Sequence, residues 1–98
     1  MPTLHVDFHP EAVAEAGAAF AWYRERSDEA AAAFLAEIDR AIEMIAEAPD
    51  RWPRYAHKTR RFLLHRFPFS VVYRRTAESL QVVAFAHGKR RPGYWKGR

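Results

Sequence analysis

The sequence holds 98 residues, 49% of them hydrophobic and 29% charged, a size that suits one domain, 1–98, burying roughly 60–70% of its unfolded surface. The absence of cysteine excludes disulfides and thiolate chemistry. No apolar run approaches the about 20 residues of a membrane span, and the opening MPTLHVDFHPE lacks the basic and apolar regions of a signal peptide, so residence in the cytoplasm is expected.

The net charge of +4 hides a polarity. Residues 1–48 carry ten acidic and three basic side chains, a balance of −7, whereas residues 49–98 carry two acidic and thirteen basic ones, a balance of +11. The basic half suits nucleic acid or an acidic protein, and the acidic half repels phosphate.

In chain order, Thr3 to Phe8 alternates Leu4, Val6 and Phe8 against His5 and Asp7, the pattern of a short strand with one buried side. His9-Pro10 ends it, and proline suits the first position of a helix because its missing N–H has no intrahelical partner there. Val13, Ala16, Gly17, Phe20 and Tyr23 then recur at helical spacing, predicting a helix from Pro10 to about Arg26 in which Gly17 lets another backbone come close. Ser27 followed by Asp28 and Glu29 predicts the cap of a second helix. Ala31, Phe34, Leu35, Ile38, Ala41, Ile42 and Ile45 carry its apolar stripe to Ala48 and Pro49. One unbroken helix would be about 60 Å long at 1.5 Å per residue, too long to pack on a small sheet, so a helical hairpin is expected.

Pro49 to Tyr55 reads as a loop, with Trp52 and Tyr55 as core-capping aromatics. Arg61–Phe67, Phe69–Arg75 and Leu80–Ala86 are rich in Phe, Val and Tyr and separated by Pro68 and by Thr76–Ser79, which predicts a three-stranded antiparallel meander. Alternation sets Phe62 and Leu64 beside Arg66, and Val72 beside Ser70 and Arg74, so arginines are interleaved with apolar positions. The tail from Gly88 to Arg98 is basic, aromatic and interrupted by glycine and proline. The order strand, helix, helix, strand, strand, strand predicts an α+β fold: an antiparallel sheet with a helical hairpin packed on one face and the other face open to an anionic partner.

Motif chemistry narrows the function. Gly88-Lys89 lacks the glycine, Ser/Thr and helix of a phosphate loop, no serine sits in a nucleophile elbow, and the five histidines are scattered, so no metal or other cofactor is expected. What remains is a set of cations, Arg60, Arg61, Arg66, Arg74, Arg75, Lys89, Arg90 and Arg91, with His87 and Tyr94. Metal-free RNA cleavage needs a proton acceptor, a proton donor and cations for the crowded phosphate, roles that histidine and arginine can fill. A histidine ending a strand is more often a structural hydrogen-bonding residue, and Tyr94 and Trp95 could stack on bases or pack on the sheet.

The phrases IEMIAEAPDRWPRY, RRFLLHRFPFSVVYR and VVAFAHGKRRPGYW, with the opening strand and WYRER, resemble the RelE/ParE superfamily of type II toxin–antitoxin toxins over essentially the whole chain. The resemblance implies a small cytoplasmic toxin that forms a hetero-oligomer with a cognate antitoxin. It also implies one of two targets. RelE-like members cut messenger RNA on the ribosome, and by position Arg61, His87 and Tyr94 would be the catalytic residues. ParE-like members poison DNA gyrase without a known hydrolytic site, leaving Arg60, Arg66, Arg74, Lys89, Arg90 and Arg91 as target- or nucleic-acid-binding cations. Lys58 stands without the second lysine seen in some ribonuclease members, and the two long helices with FPFSVVYR are more similar to the ParE side. A degenerate toxin that keeps only antitoxin binding is the third reading.

Overall fold

The computed structural model describes residues 4–98, and Thr3, expected to begin the first strand, lies outside them. The chain runs β1 (His5–Phe8), α1 (Pro10–Arg26), α2 (Asp28–Glu47), β2 (Arg54–Tyr55), a 3-10 turn (Ala56–Lys58), β3 (Thr59–Leu63), β4 (Phe69–Arg75) and β5 (Ser79–His87).

Local chemistry sets the helix boundaries. His9 accepts the N–H of Glu11 at Nδ1 (3.1 Å) in front of Pro10, capping α1. Ser27 serves both helices: its N–H donates to the carbonyl of Tyr23 (2.8 Å) and its Oγ accepts the N–H of Ala30 (3.1 Å). With this one extended residue between them, α1 and α2 fold back as the expected hairpin. On α2 the stripe Phe34, Ile38, Ala41 and Ile45 is buried in one cluster with the sheet residues Val71, Tyr73, Leu80, Val82 and Phe85, and Ala31 is buried as well. Leu35, expected in that core, is 43% exposed, because it lies about 100° round the helix from Phe34. Gly17 also departs from expectation: a Cβ there would meet nothing within 4 Å, so no backbone approaches it.

The strands lie in the order β1-β5-β4-β3-β2. The meander β3-β4-β5 is antiparallel as expected. β1, however, pairs with β5 in parallel, with Val6 opposite Leu80, so the sheet is mixed rather than antiparallel throughout. Short connections force antiparallel neighbours, but β1 reaches β5 only after the whole hairpin and meander, and that constraint does not bind it. β3 starts two residues earlier than predicted and ends at Leu63. Beyond it the N–H groups of His65 and Arg66 donate to the carboxylate of Glu37 on α2, which pulls the chain off the ladder before Phe67. Arg66 is therefore on a turn, with its guanidinium 3.5 Å from Glu37, and not on the sheet.

The face away from the helices is not open. Val72, Val83, Ala84 and Ala86 form a second apolar cluster there, covered by Trp95, which is 3% exposed and stacked on Tyr55 with ring centroids 5.3 Å apart. A row of Val and Ala left in water would be costly, and the tail's indole removes it from solvent.

Candidate functional site

The tail is fastened by one carboxylate. Glu15 of α1 accepts the hydroxyl of Tyr94 (2.7 Å), two guanidinium N–H groups of Arg98 (2.9 and 3.1 Å) and the backbone N–H of Phe85 (3.1 Å). Arg98 also donates to the carbonyl of Val83 (3.0 Å), and Arg74 donates to the carbonyl of Arg98 (2.7 Å). Glu15 and Arg98 thus satisfy the edge of β5 where β1 no longer pairs with it. Burial, then the hydrogen bond from its hydroxyl to Glu15, push the Tyr94 phenol well above the usual tyrosine range, so it stays protonated. Gly93 (φ 87°) lies so close to His57 that a Cβ there would sit 2.7 Å from the imidazole Nε2, which locks the tail onto the β2-β3 turn as well.

Arg61 is set apart from the other two residues suggested for RNA cleavage, whereas His87 and Tyr94 lie around one cleft, since His87 lines it together with Glu15 and Arg90, the residues that engage Tyr94. Arg61 pairs opposite Val72, and its guanidinium lies 4.1 Å from the Tyr55 ring centroid on the tail side of the sheet. His87 packs edge-on against Phe69 (5.0 Å) on the helix side, and its Nδ1 accepts the N–H of Lys89 (3.0 Å). Tyr94 is engaged by Glu15.

Apart from Arg66, which is paired with Glu37 off the sheet, the suggested binding cations separate into two groups at opposite ends of the sheet. Lys89, Arg90 and Arg91 are exposed just after β5, with Arg90 stacked 3.7 Å over Tyr94. Arg60 and Arg74 lie at the other end, where they line a groove of about 310 Å³ with Arg54, Lys58 and Arg75.

Two further clefts are mainly apolar. One, of about 450 Å³, runs between α1 (Ala18, Ala19, Trp22, Tyr23) and the Pro68, Phe69 and His87 end of the meander. The other, of about 480 Å³, lies between the second half of α2 and β3 and includes Met44, Trp52, Phe62 and Leu63. Trp22 is 52% and Leu63 64% exposed at their rims. Large apolar side chains left in water beside concave surfaces are the usual mark of a protein-binding face.

Residues 6–92 match the family described as ParE toxin of type II toxin-antitoxin system, parDE. The chain belongs to the ParE toxin family. Among solved structures it is similar to a chain of the chromosomal ParDE TA system from P. aeruginosa, with a TM-score of 0.75 at 17% identity, covering 87% of this chain and 96% of that one. No curated protein matches the sequence significantly.

Within this ParE fold, the residues that the sequence reading missed are Glu15, Arg98, Arg54 and Lys58. Glu15 looks like any carboxylate on an amphipathic helix, and nothing local marks its partners about 80 positions later. Arg54 and Lys58 could have been found, since they stand close to Tyr55 in a basic and aromatic stretch between two regular elements.

Proposed function

We propose that the chain is a gyrase-poisoning toxin that acts by protein contact and is held inactive in the cytoplasm by a cognate antitoxin, in a hetero-oligomer. The observation that carries this reading is the separation of Arg61 from His87 and Tyr94, with the Tyr94 hydroxyl already engaged. General acid–base catalysis needs its groups within hydrogen-bonding reach of one scissile phosphate. Here Arg61 rests on Tyr55 on one side of the sheet, His87 lies against Phe69 on the other, and the Tyr94 hydroxyl is occupied by a carboxylate. The two apolar clefts are of the kind that seat helical or extended protein segments. An antitoxin segment in them would cover Trp22 and Leu63, and the similar chain from the P. aeruginosa ParDE system supports such a partner.

Expression without antitoxin tests the proposal. DNA damage signalling with translation intact at early times is the expected phenotype, and His87→Ala and Tyr94→Phe retain it, whereas deletion of the tail from Tyr94 onward abolishes it. Immediate arrest of translation with messenger cleavage, lost in Arg61→Ala or His87→Ala, would overturn it in favour of the ribonuclease. Absence of any growth defect would overturn it in favour of a degenerate toxin.

A further inference from the structure

The groove between the β2-β3 turn and the end of β4 collects five cations, Arg54, Lys58, Arg60, Arg74 and Arg75, and none of its lining residues is acidic. Among the described residues, the one acidic side chain paired with these cations is Asp50, 3.1 Å from Arg75. Arg60 and Arg74 are held without an acidic side chain. Arg60 donates to the carbonyl of Trp52 (2.7 Å), and Arg74 donates to Gln81 Oε1 (2.6 and 2.9 Å) and to the carbonyl of Arg98. Arg60 is thereby oriented without its charge being neutralised, and Arg74 is oriented by Gln81 and the last residue of the chain. Like charges gathered without counter-charges destabilise a fold, and an anion that enters relieves the repulsion.

The turn at the rim is itself unusual. His57 (φ 58°) and Lys58 (φ 62°) both occupy the left-handed region, which side-chain-bearing residues rarely adopt. Such backbone costs about 1–3 kcal/mol per residue and persists only where surrounding contacts enforce it. Here the Thr59 hydroxyl closes the turn onto the carbonyl of Ala56 (2.6 Å) and Gly93 packs on His57, which holds Lys58 at the mouth of the groove.

We infer that this groove is a phosphodiester-binding site that takes the backbone of duplex DNA. An acidic protein segment is the other polyanion to consider, but protein interfaces are depleted of charge at their centre and anchored by aromatic or aliphatic side chains. In this molecule the exposed apolar anchors, Trp22 and Leu63, lie at other clefts. A surface made of arginine and lysine with no free aromatic face is suited to phosphates and not to bases, because Tyr55 is already stacked on Trp95 and the Tyr73 hydroxyl donates to the carbonyl of Pro49 (2.6 Å). The acidic side chains concentrated in residues 1–48, chiefly on the helices, would repel a duplex from the helical side and leave this end of the sheet facing it.

The inference does not rest on the gyrase reading, since the isolated protein can be tested without any target. Fluorescence anisotropy with a labelled random-sequence duplex of about 20 bp would measure binding at about 50 and 200 mM salt. Neutralising about four phosphates predicts an affinity roughly 100-fold lower at the higher salt. The double substitution Arg54→Glu with Lys58→Glu changes two exposed side chains, so the fold is retained, and it should weaken binding at least about tenfold and reduce the salt slope by about 2. Arg24→Glu, on the exposed side of α1, should change nothing. The inference is overturned if no duplex binding occurs at low salt, if reversal of Lys89, Arg90 and Arg91 abolishes binding while reversal of Arg54 and Lys58 does not, or if a polyglutamate peptide binds where the duplex fails to.

Discussion

Replacing Glu15 by alanine removes the acceptor for Tyr94, Arg98 and the Phe85 N–H at once. The Glu15 side chain is 17% and the Arg98 side chain 11% exposed, so the pair is largely shielded from water. Breaking a buried pair by deleting one partner costs about 3–5 kcal/mol. Because Arg98 keeps the Val83 carbonyl and a 3.6 Å approach to Glu11, the lower end, about 3 kcal/mol, is expected. For a domain of this size that lowers Tm by about 12–24 °C. Urea unfolding of the wild type, Glu15→Ala, Arg98→Ala and the double variant would close a thermodynamic cycle, with a coupling of about 2 kcal/mol expected and Trp95 becoming solvent-exposed in each variant. Additivity within about 0.5 kcal/mol, or an unchanged Trp95 environment, would refute the idea that this carboxylate holds the tail.

Gly17→Ala should stabilise α1 by about 0.5–1 kcal/mol, read as a higher urea midpoint, because the added methyl meets no neighbour and the unfolded chain loses freedom. Gly93→Ala should instead cost about 1–3 kcal/mol, since it combines φ 87° with a collision on His57, and part of that loss should be recovered when His57→Ala is added. Burial pushes the Tyr73 phenol up to about 12, and burial with the bond to Glu15 raises Tyr94 also. A folded pKa above the unfolded value means that the folded state keeps protons the unfolded state has lost. This contribution is therefore complete below about pH 10 and disappears as pH climbs through the folded values. Urea midpoints should fall between about pH 10 and 12, and fall less steeply in the Tyr73→Phe, Tyr94→Phe double variant.

Both helices, their serine-capped junction and the three-stranded meander were legible in the sequence because each leaves a local trace: a 3.6-residue stripe on α2, runs rich in Val, Phe and Tyr between short polar or proline breaks in the meander, and Ser27 before two carboxylates. β1 was legible as a strand but not in its direction, which depends on where the edge strand lands after about 70 intervening residues. Arg66 was misplaced because the competing acceptor, Glu37, sits on another element 29 positions away. The sheet's far face carried an ambiguity the sequence could not settle, since Trp95 reads equally as a stacking platform or a cover. Val72, Val83, Ala84 and Ala86 decide for the cover, because that face is apolar and needs one. The candidate site was legible as a list of cations and not as a place. Arg60 and Arg74 line one groove with Arg54, Lys58 and Arg75 only because the ends of β3 and β4 meet beside the β2-β3 turn, which no local pattern marks.

The most direct measurement of how this toxin acts is a side-by-side reconstitution with purified components, in which the chain is added to DNA gyrase with plasmid and, separately, to translating ribosomes with messenger RNA. Accumulation of gyrase-linked DNA breaks by the wild type and equally by His87→Ala, with intact messenger, is the predicted result. Messenger cut within the ribosome, with plasmid left unbroken and His87→Ala inactive, would contradict the account.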